Sequence, residues 1–142
     1  MYKKILIPVD VSVEEDTRKL LKAAKTLSEN WDCELHVVTV IPNVGMPIVG
    51  SYFDEGFEDK SRVAVAQRLL ELVAETQIKT KEHILLGTVY DCVINMATKL
   101  GADLIIIGAH QPELRDYLLG SNAARVVRHS KQSVLVMRDG TA

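Results

Sequence analysis

Four short stretches of the chain are apolar almost without interruption and rich in β-branched residues: Ile5-Leu6-Ile7-Pro8-Val9, Leu35-His36-Val37-Val38-Thr39-Val40-Ile41, Leu104-Ile105-Ile106-Ile107 and Val134-Leu135-Val136-Met137. A strand with one wet face alternates apolar and polar residues. Continuous runs suit parallel strands covered on both faces by helices. A fifth and weaker candidate is His83-Ile84-Leu85-Leu86, ending at Gly87.

Helical periodicity fills the intervals. Ser12 followed by Glu15 has the spacing of a capping box, and Leu20, Leu21, Ala24 and Leu27 form one stripe after it. A second helix is expected from Glu58 to Thr76, with Val63, Ala66, Leu69, Leu70 and Val73 facing inward. A third turns Val93, Ile94, Ala97 and Leu100 inward and stops at Gly101, a suitable C′ glycine. A fourth begins near Ser121 and buries Ala124 and Val127. The order β-α-β-α-β-α-β-α-β predicts an α/β fold: a doubly wound, Rossmann-like, five-stranded parallel sheet with right-handed crossovers and helices on both faces. One irregular stretch, Pro42 to Phe57, is long enough to be a lid or binding loop.

Composition narrows the function. At 142 residues the chain is expected to form one domain over residues 1–142. Apolar residues make up 47% and charged residues 25%, the balance of a soluble globular protein. With 17 basic and 19 acidic residues the net charge is −2, which leaves no electrostatic footprint for nucleic acid or an anionic membrane. The apolar run near the N-terminus stops at Asp10, too short for a membrane span and without a cleavage site for a signal peptide. Cys33 and Cys92 make neither a disulfide framework nor a zinc site, so free buried thiols in a reducing cytoplasm are expected. They also lack the neighbouring basic residues of a reactive thiolate.

In an open α/β sheet a ligand sits beyond the carboxyl ends of the strands. The exits are Val9-Asp10-Val11-Ser12, Val40-Ile41-Pro42, Gly87-Thr88-Val89 and Gly108-Ala109-His110-Gln111. The GxGxxG, GxxxxGK[ST], HExxH and GxSxG motifs are all absent, which removes the standard dinucleotide, P-loop, zinc-protease and serine-hydrolase readings. The segment from Gly108 to Ser130 remains. A glycine leaves a buried strand, a loop follows, and Gly120-Ser121-Asn122 opens a helix. Unpaired N–H groups and a partial positive charge at a helix start favour a phosphate, although a turn glycine and a serine cap have the same spacing.

These residues carry a resemblance. The start MYKKILIPVDVS, the exit GADLIIIGAH, the stretch YLLGSNAARVVRHS and the end SVLVMR resemble the universal stress protein family along the whole chain. The family's nucleotide-binding branch has a signature G-x2-G-x9-G-[ST], which Gly108, Gly120 and Ser121 match. The middle glycine is replaced by Gln111, and eight residues separate it from Gly120. The resemblance implies the strand order 3-2-1-4-5 and an adenine-nucleotide site. Pro8, Val9 and Asp10 would lie under the nucleoside, with Asp10 near the base, the ribose or a bound magnesium or manganese ion. Val40 would flank the adenine. Ile107, Gly108, Ala109, His110 and Gln111 would line the ribose and first phosphates, and Gly120, Ser121, Asn122 and Ala123 the phosphate tail. It implies ATP, ADP or AMP as ligand and a cytoplasmic stress-response dimer, or a higher oligomer, joined through the last strand. The alternatives are a slow ATPase or autophosphorylating enzyme and a nucleotide-free structural dimer. Arg115 is the one cation in the loop and no lysine lies between Lys99 and Lys131, so fast phosphoryl transfer is not expected.

Other polar residues have plainer readings. His36 and His83 are expected to be structural. Arg125, Arg128, His129 and Lys131 suit a helix C-terminus. Met46 and Phe53 in the long loop are candidates to cover a ligand.

Overall fold

The structure, a computed structural model, describes residues 2–42, 55–109 and 120–138. Its elements follow in the order β1 (Lys4–Pro8), α1 (Glu14–Glu29), β2 (Glu34–Pro42), α2 (Glu55–Thr76), β3 (Lys81–Gly87), α3 (Val89–Leu100), β4 (Leu104–Gly108), α4 (Ser121–His129) and β5 (Ser133–Met137). The strands form one sheet in the order β3-β2-β1-β4-β5, with every neighbouring pair parallel. The doubly wound α/β fold expected from the runs is the fold observed.

Continuous apolar runs are needed because both faces are covered. Ile5, Ile7, Leu35, Val37, Leu104 and Ile106 pack with Leu20, Leu21 and Ala24 of α1 and Leu69, Leu72 and Val73 of α2. The intervening residues Leu6, Val38, Val40, Ile105 and Ile107 pack with Val89, Val93 and Ala97 of α3 and Ala123 and Val126 of α4. Each fully buried side chain of this size contributes about 1.5–3 kcal/mol. Cys33 packs against the first cluster and Cys92 against the second, so the sheet separates the two thiols. Both are half-buried rather than fully buried, and burial raises both thiol pKa values.

Several helix expectations need correction. The structure starts α1 at Glu14 behind Val13, with no side-chain cap; Ser12 turns back to Asp10 instead of capping the helix. In α2 the inner face is Leu69, Leu72, Val73 and Thr76, while Val63 and Leu70 are 63% and 53% exposed. Of the expected loop, Pro42 ends β2 and residues 55–57 are helical, while residues 43–54, with Met46 and Phe53, lie outside the described residues. In α4 the buried pair is Ala123 and Val126, one residue before the expected pair, and Val127 is 52% exposed. The end of α3 is as expected: Gly101 takes φ 71°, its N–H reaches Thr98 O, and Ala102 N–H reaches Ala97 O, a Schellman closure.

The sheet edges differ. On β3, Lys81, Glu82 and His83 open the strand, and Arg62 of α2 donates to the Ile84 carbonyl at 2.9 Å. On β5, Val134, Leu135, Val136 and Met137 are all half-buried.

Candidate nucleotide site at the topological switch point

The strand order reverses between β1 and β4, the place where an open α/β sheet forms a crevice. Their pairing runs only through Ile5↔Leu104 and Leu6↔Ile105. Beyond it each strand continues with its outer neighbour: Val9 N–H donates to Val38 O at 2.8 Å, and Ala109 N–H to Met137 O at 2.7 Å. The two strand exits therefore part, with Asp10 on one side and Gly108 on the other.

Asp10 is held firmly on its own side of that gap. Its Oδ1 accepts from the Ser12 N–H at 2.9 Å and the Ser12 hydroxyl at 2.6 Å, an Asx-turn. Its carbonyl accepts from the Thr17 hydroxyl at 2.8 Å and the Val13 N–H at 3.0 Å. The start of α1 is in turn tied to α2, because Arg68 grips the Glu14 carboxylate through Nε and Nη2, both at 2.6 Å. That pair holds the Glu14 carboxyl below its ordinary pKa, through the Arg68 hydrogen bond first. The other Asp10 oxygen, Oδ2, is buried and meets no hydrogen-bond partner among the described residues. An unpaired buried acceptor costs about 1–3 kcal/mol, more when charged.

Opposite it, a Cβ added at Gly108 would meet nothing within 4 Å, so packing against the described residues does not require glycine there. Gly120 stands at the N-cap of α4 with φ 47° and ψ −111°, a backbone that L side chains rarely adopt. Ser121 and Asn122 open the helix, and Ala124 N–H donates to Gly120 O at 3.0 Å. Arg125, one turn on, lies over the Tyr90 ring at 4.9 Å rather than only serving the helix C-terminus. Arg128 and His129 occupy the last turn, as expected.

Among the expected site residues, Val40, Ile107 and Ala123 meet in one buried cluster, whereas Val9 belongs to the cluster on the opposite face. All four side chains are buried, so the first three present mainly backbone to the crevice. Pro8 closes β1 and Ala109 follows β4. His110 and Gln111 lie outside the described residues, as does Arg115. Ser12 and Thr17 were not anticipated as partners of Asp10. A polar Thr17 within the stripe of Leu20, Leu21 and Ala24 was the available signal. For a metal, Asp10 offers one unpartnered carboxylate oxygen, and among the described residues no three His, Cys, Asp or Glu side chains are grouped to hold an ion. That donor set fits a hard cation shared with a phosphate, not a protein-only cage. No helix among the described residues is long and apolar enough to cross a membrane.

Comparison with known proteins agrees with this fold. The universal stress protein family model matches residues 1–138. Universal stress protein G of Shigella flexneri is 34% identical over 143 residues, covering 97% of this chain and all of that protein. The solved structure of MJ0577, a universal stress protein of Methanocaldococcus jannaschii, superposes with a TM-score of 0.80 at 27% identity, over 100% of this chain and 99% of that one. A universal stress protein in complex with cAMP gives 0.70 at 20% identity, over 96% and 97% of the two chains. The Archaeoglobus fulgidus protein in complex with dAMP gives 0.66 at 18%, over 95% and 97%. At those identities the last two speak for the fold alone.

Proposed function

The chain belongs to the universal stress protein family, and from that premise we propose that it is an adenine-nucleotide-binding regulatory protein, one domain over residues 1–142, acting as a cytoplasmic homodimer. The observation that carries this reading is Asp10: a carboxylate fixed through Oδ1 with Oδ2 left buried and unpartnered at the mouth of the crevice. An ionised carboxylate only accepts, so the ligand must bring a donor there, such as an amine or a ribose hydroxyl, or a cation. The cAMP and dAMP carried by the two family structures are ligands of that chemistry. Across the crevice the positive φ of Gly120 and the start of α4 suit a phosphate, and the space that the described residues leave beside Gly108 suits the sugar. Val40 and Ile107 would meet the base and ribose through backbone, with His110 and Gln111 closing the loop side. A magnesium or manganese ion arriving with ATP would be held by Asp10 and would offset the phosphate charge. Affinity of this kind regulates partners without fast turnover.

Nucleotide extracted from the purified protein and calorimetric titration with ATP, ADP and AMP test the reading. Adenine nucleotide should co-purify or bind, and Gly120→Val should weaken it at least tenfold by forcing a side chain into a left-handed backbone. Unchanged affinity in Gly120→Val would place the site elsewhere.

A further inference from the structure

At the opposite end of the sheet from the crevice, two histidines that the nucleotide reading does not use touch across neighbouring strands. Nδ1 of His36 on β2 lies 2.8 Å from Nε2 of His83 on β3, with the rings stacked at 5.1 Å and 19°. The His36 side chain is only 4% exposed. Its other nitrogen, Nε2, lies 3.1 Å from Glu34 Oε2. We propose that His36 and His83 form a proton-operated latch between β2 and β3: the pair holds the strands together while it carries at most one extra proton and releases them when it must carry two.

Proton bookkeeping follows from the partners. Hydrogen bonds from His36 and Lys81 push the Glu34 carboxyl down to about 2, so it stays an ionised acceptor. His36 Nε2 must therefore bear hydrogen. With both rings neutral, His36 Nδ1 is an acceptor and His83 Nε2–H donates to it. With one added proton, whichever ring carries two N–H groups still donates across the 2.8 Å contact to the bare nitrogen of the other, so the hydrogen bond survives. A second proton puts two N–H groups face to face across 2.8 Å, both rings charged and one of them buried. No arrangement of tautomers restores that hydrogen bond.

The surroundings oppose the second charge. β1 supplies Lys4, 3.4 Å from Glu34 and donating to Leu100 O at the end of α3. β2 supplies Glu34, and β3 supplies Lys81, 3.0 Å from Glu34, and Glu82. The helix α3, which packs on the same sheet through Leu6, Val38 and Val40, does so with the apolar Val93 and Ala97. Burial is the largest influence on His83, then the charge of His36; with Lys81 they lower its pKa, and only Glu82 opposes them. The pair offers two ring nitrogens, and no third ligand joins them among the described residues, so a proton rather than a metal ion is what this geometry takes up.

The sign follows directly. Unfolded histidine titrates near 6.5, and folded His83 titrates lower. The latch is fully stabilising above about 6.5 and is lost as pH falls below that value through the folded pKa. The strain falls on β3, which among the described residues pairs only with β2. Acidification should therefore loosen one edge of the sheet before the rest.

His83→Gln tests it, since an amide N–H can still donate to His36 Nδ1 but cannot be protonated. Between pH 7.5 and 5.0 the wild-type melting temperature should fall by roughly 3 °C more than that of the variant. In the wild type, hydrogen exchange corrected for intrinsic rate should accelerate in residues 81–87 at pH 5.0 while β1 stays protected. Nitrogen-15 titration of the rings should show one of the two resisting protonation well below 6.5. Equal pH slopes in the two proteins, or both rings titrating near 6.5 with β3 still protected, would overturn the latch. The exchange and ring titrations use wild-type protein, so they decide the matter even if His83→Gln folds poorly.

Discussion

The two carboxylate oxygens of Asp10 live in different surroundings, and the difference separates stability from binding. Oδ1 takes two hydrogen bonds from Ser12, while Oδ2 has none. In Asp10→Asn an amide can keep the Ser12 bonds through its oxygen while removing a buried charge. The ligand-free variant should therefore melt at the wild-type temperature or slightly above it. Its nucleotide affinity should fall about tenfold to a hundredfold, the worth of a hydrogen bond to a charged group at about 1.5–3 kcal/mol. Differential scanning fluorimetry with and without ATP reads both effects. A variant that is destabilised yet binds normally would make Asp10 structural. Asp10 and Gly108 were legible as strand exits, and the strand order that the resemblance implied brings those two exits to the switch point. The role of Ser12 was not, since a serine two residues after an aspartate and three before a glutamate fits an Asx-turn and a capping box equally well.

Among elements, strands were legible to within a residue or two, and so were the inner faces of α1 and α3, whereas those of α2 and α4 were only partly so. A strand buried on both faces is apolar throughout, so its limits coincide with the ends of the run. A helix rich in alanine, valine and leucine on several sides does not fix which stripe faces in. In α2 the sequence favoured Val63, Ala66, Leu69, Leu70 and Val73; Leu69 and Val73 do face the sheet, but Leu72 joins them while Val63 and Leu70 are exposed. In α4 the phase moved by one residue, to Ala123 and Val126. Leu72→Ala and Leu70→Ala turn this into a measurement. Chemical denaturation should show a loss of about 2–5 kcal/mol for the fully buried Leu72 and a change within about 0.5 kcal/mol for Leu70. Similar losses at the two positions would contradict the observed face.

For the whole molecule the two sheet edges matter most. β5 ends the sheet with the half-buried Val134, Leu135, Val136 and Met137 and no charged side chain, the kind of edge that recruits another strand. If a second copy pairs there, as the proposed dimer requires, Val136→Lys should move the sedimentation coefficient toward monomer. A dimer indifferent to that charge would rule out β5 as its seam. β3 is guarded instead, by three ionisable residues at its start and by the Arg62 guanidinium on the Ile84 carbonyl. Unlimited growth of a chain of molecules needs two adhesive ends on every link. Among the described residues the sheet has one open apolar edge and one guarded edge, so association through β5, where the proposed dimer would form, would be self-terminating: two copies would consume each other's open strand and leave no such edge for a third.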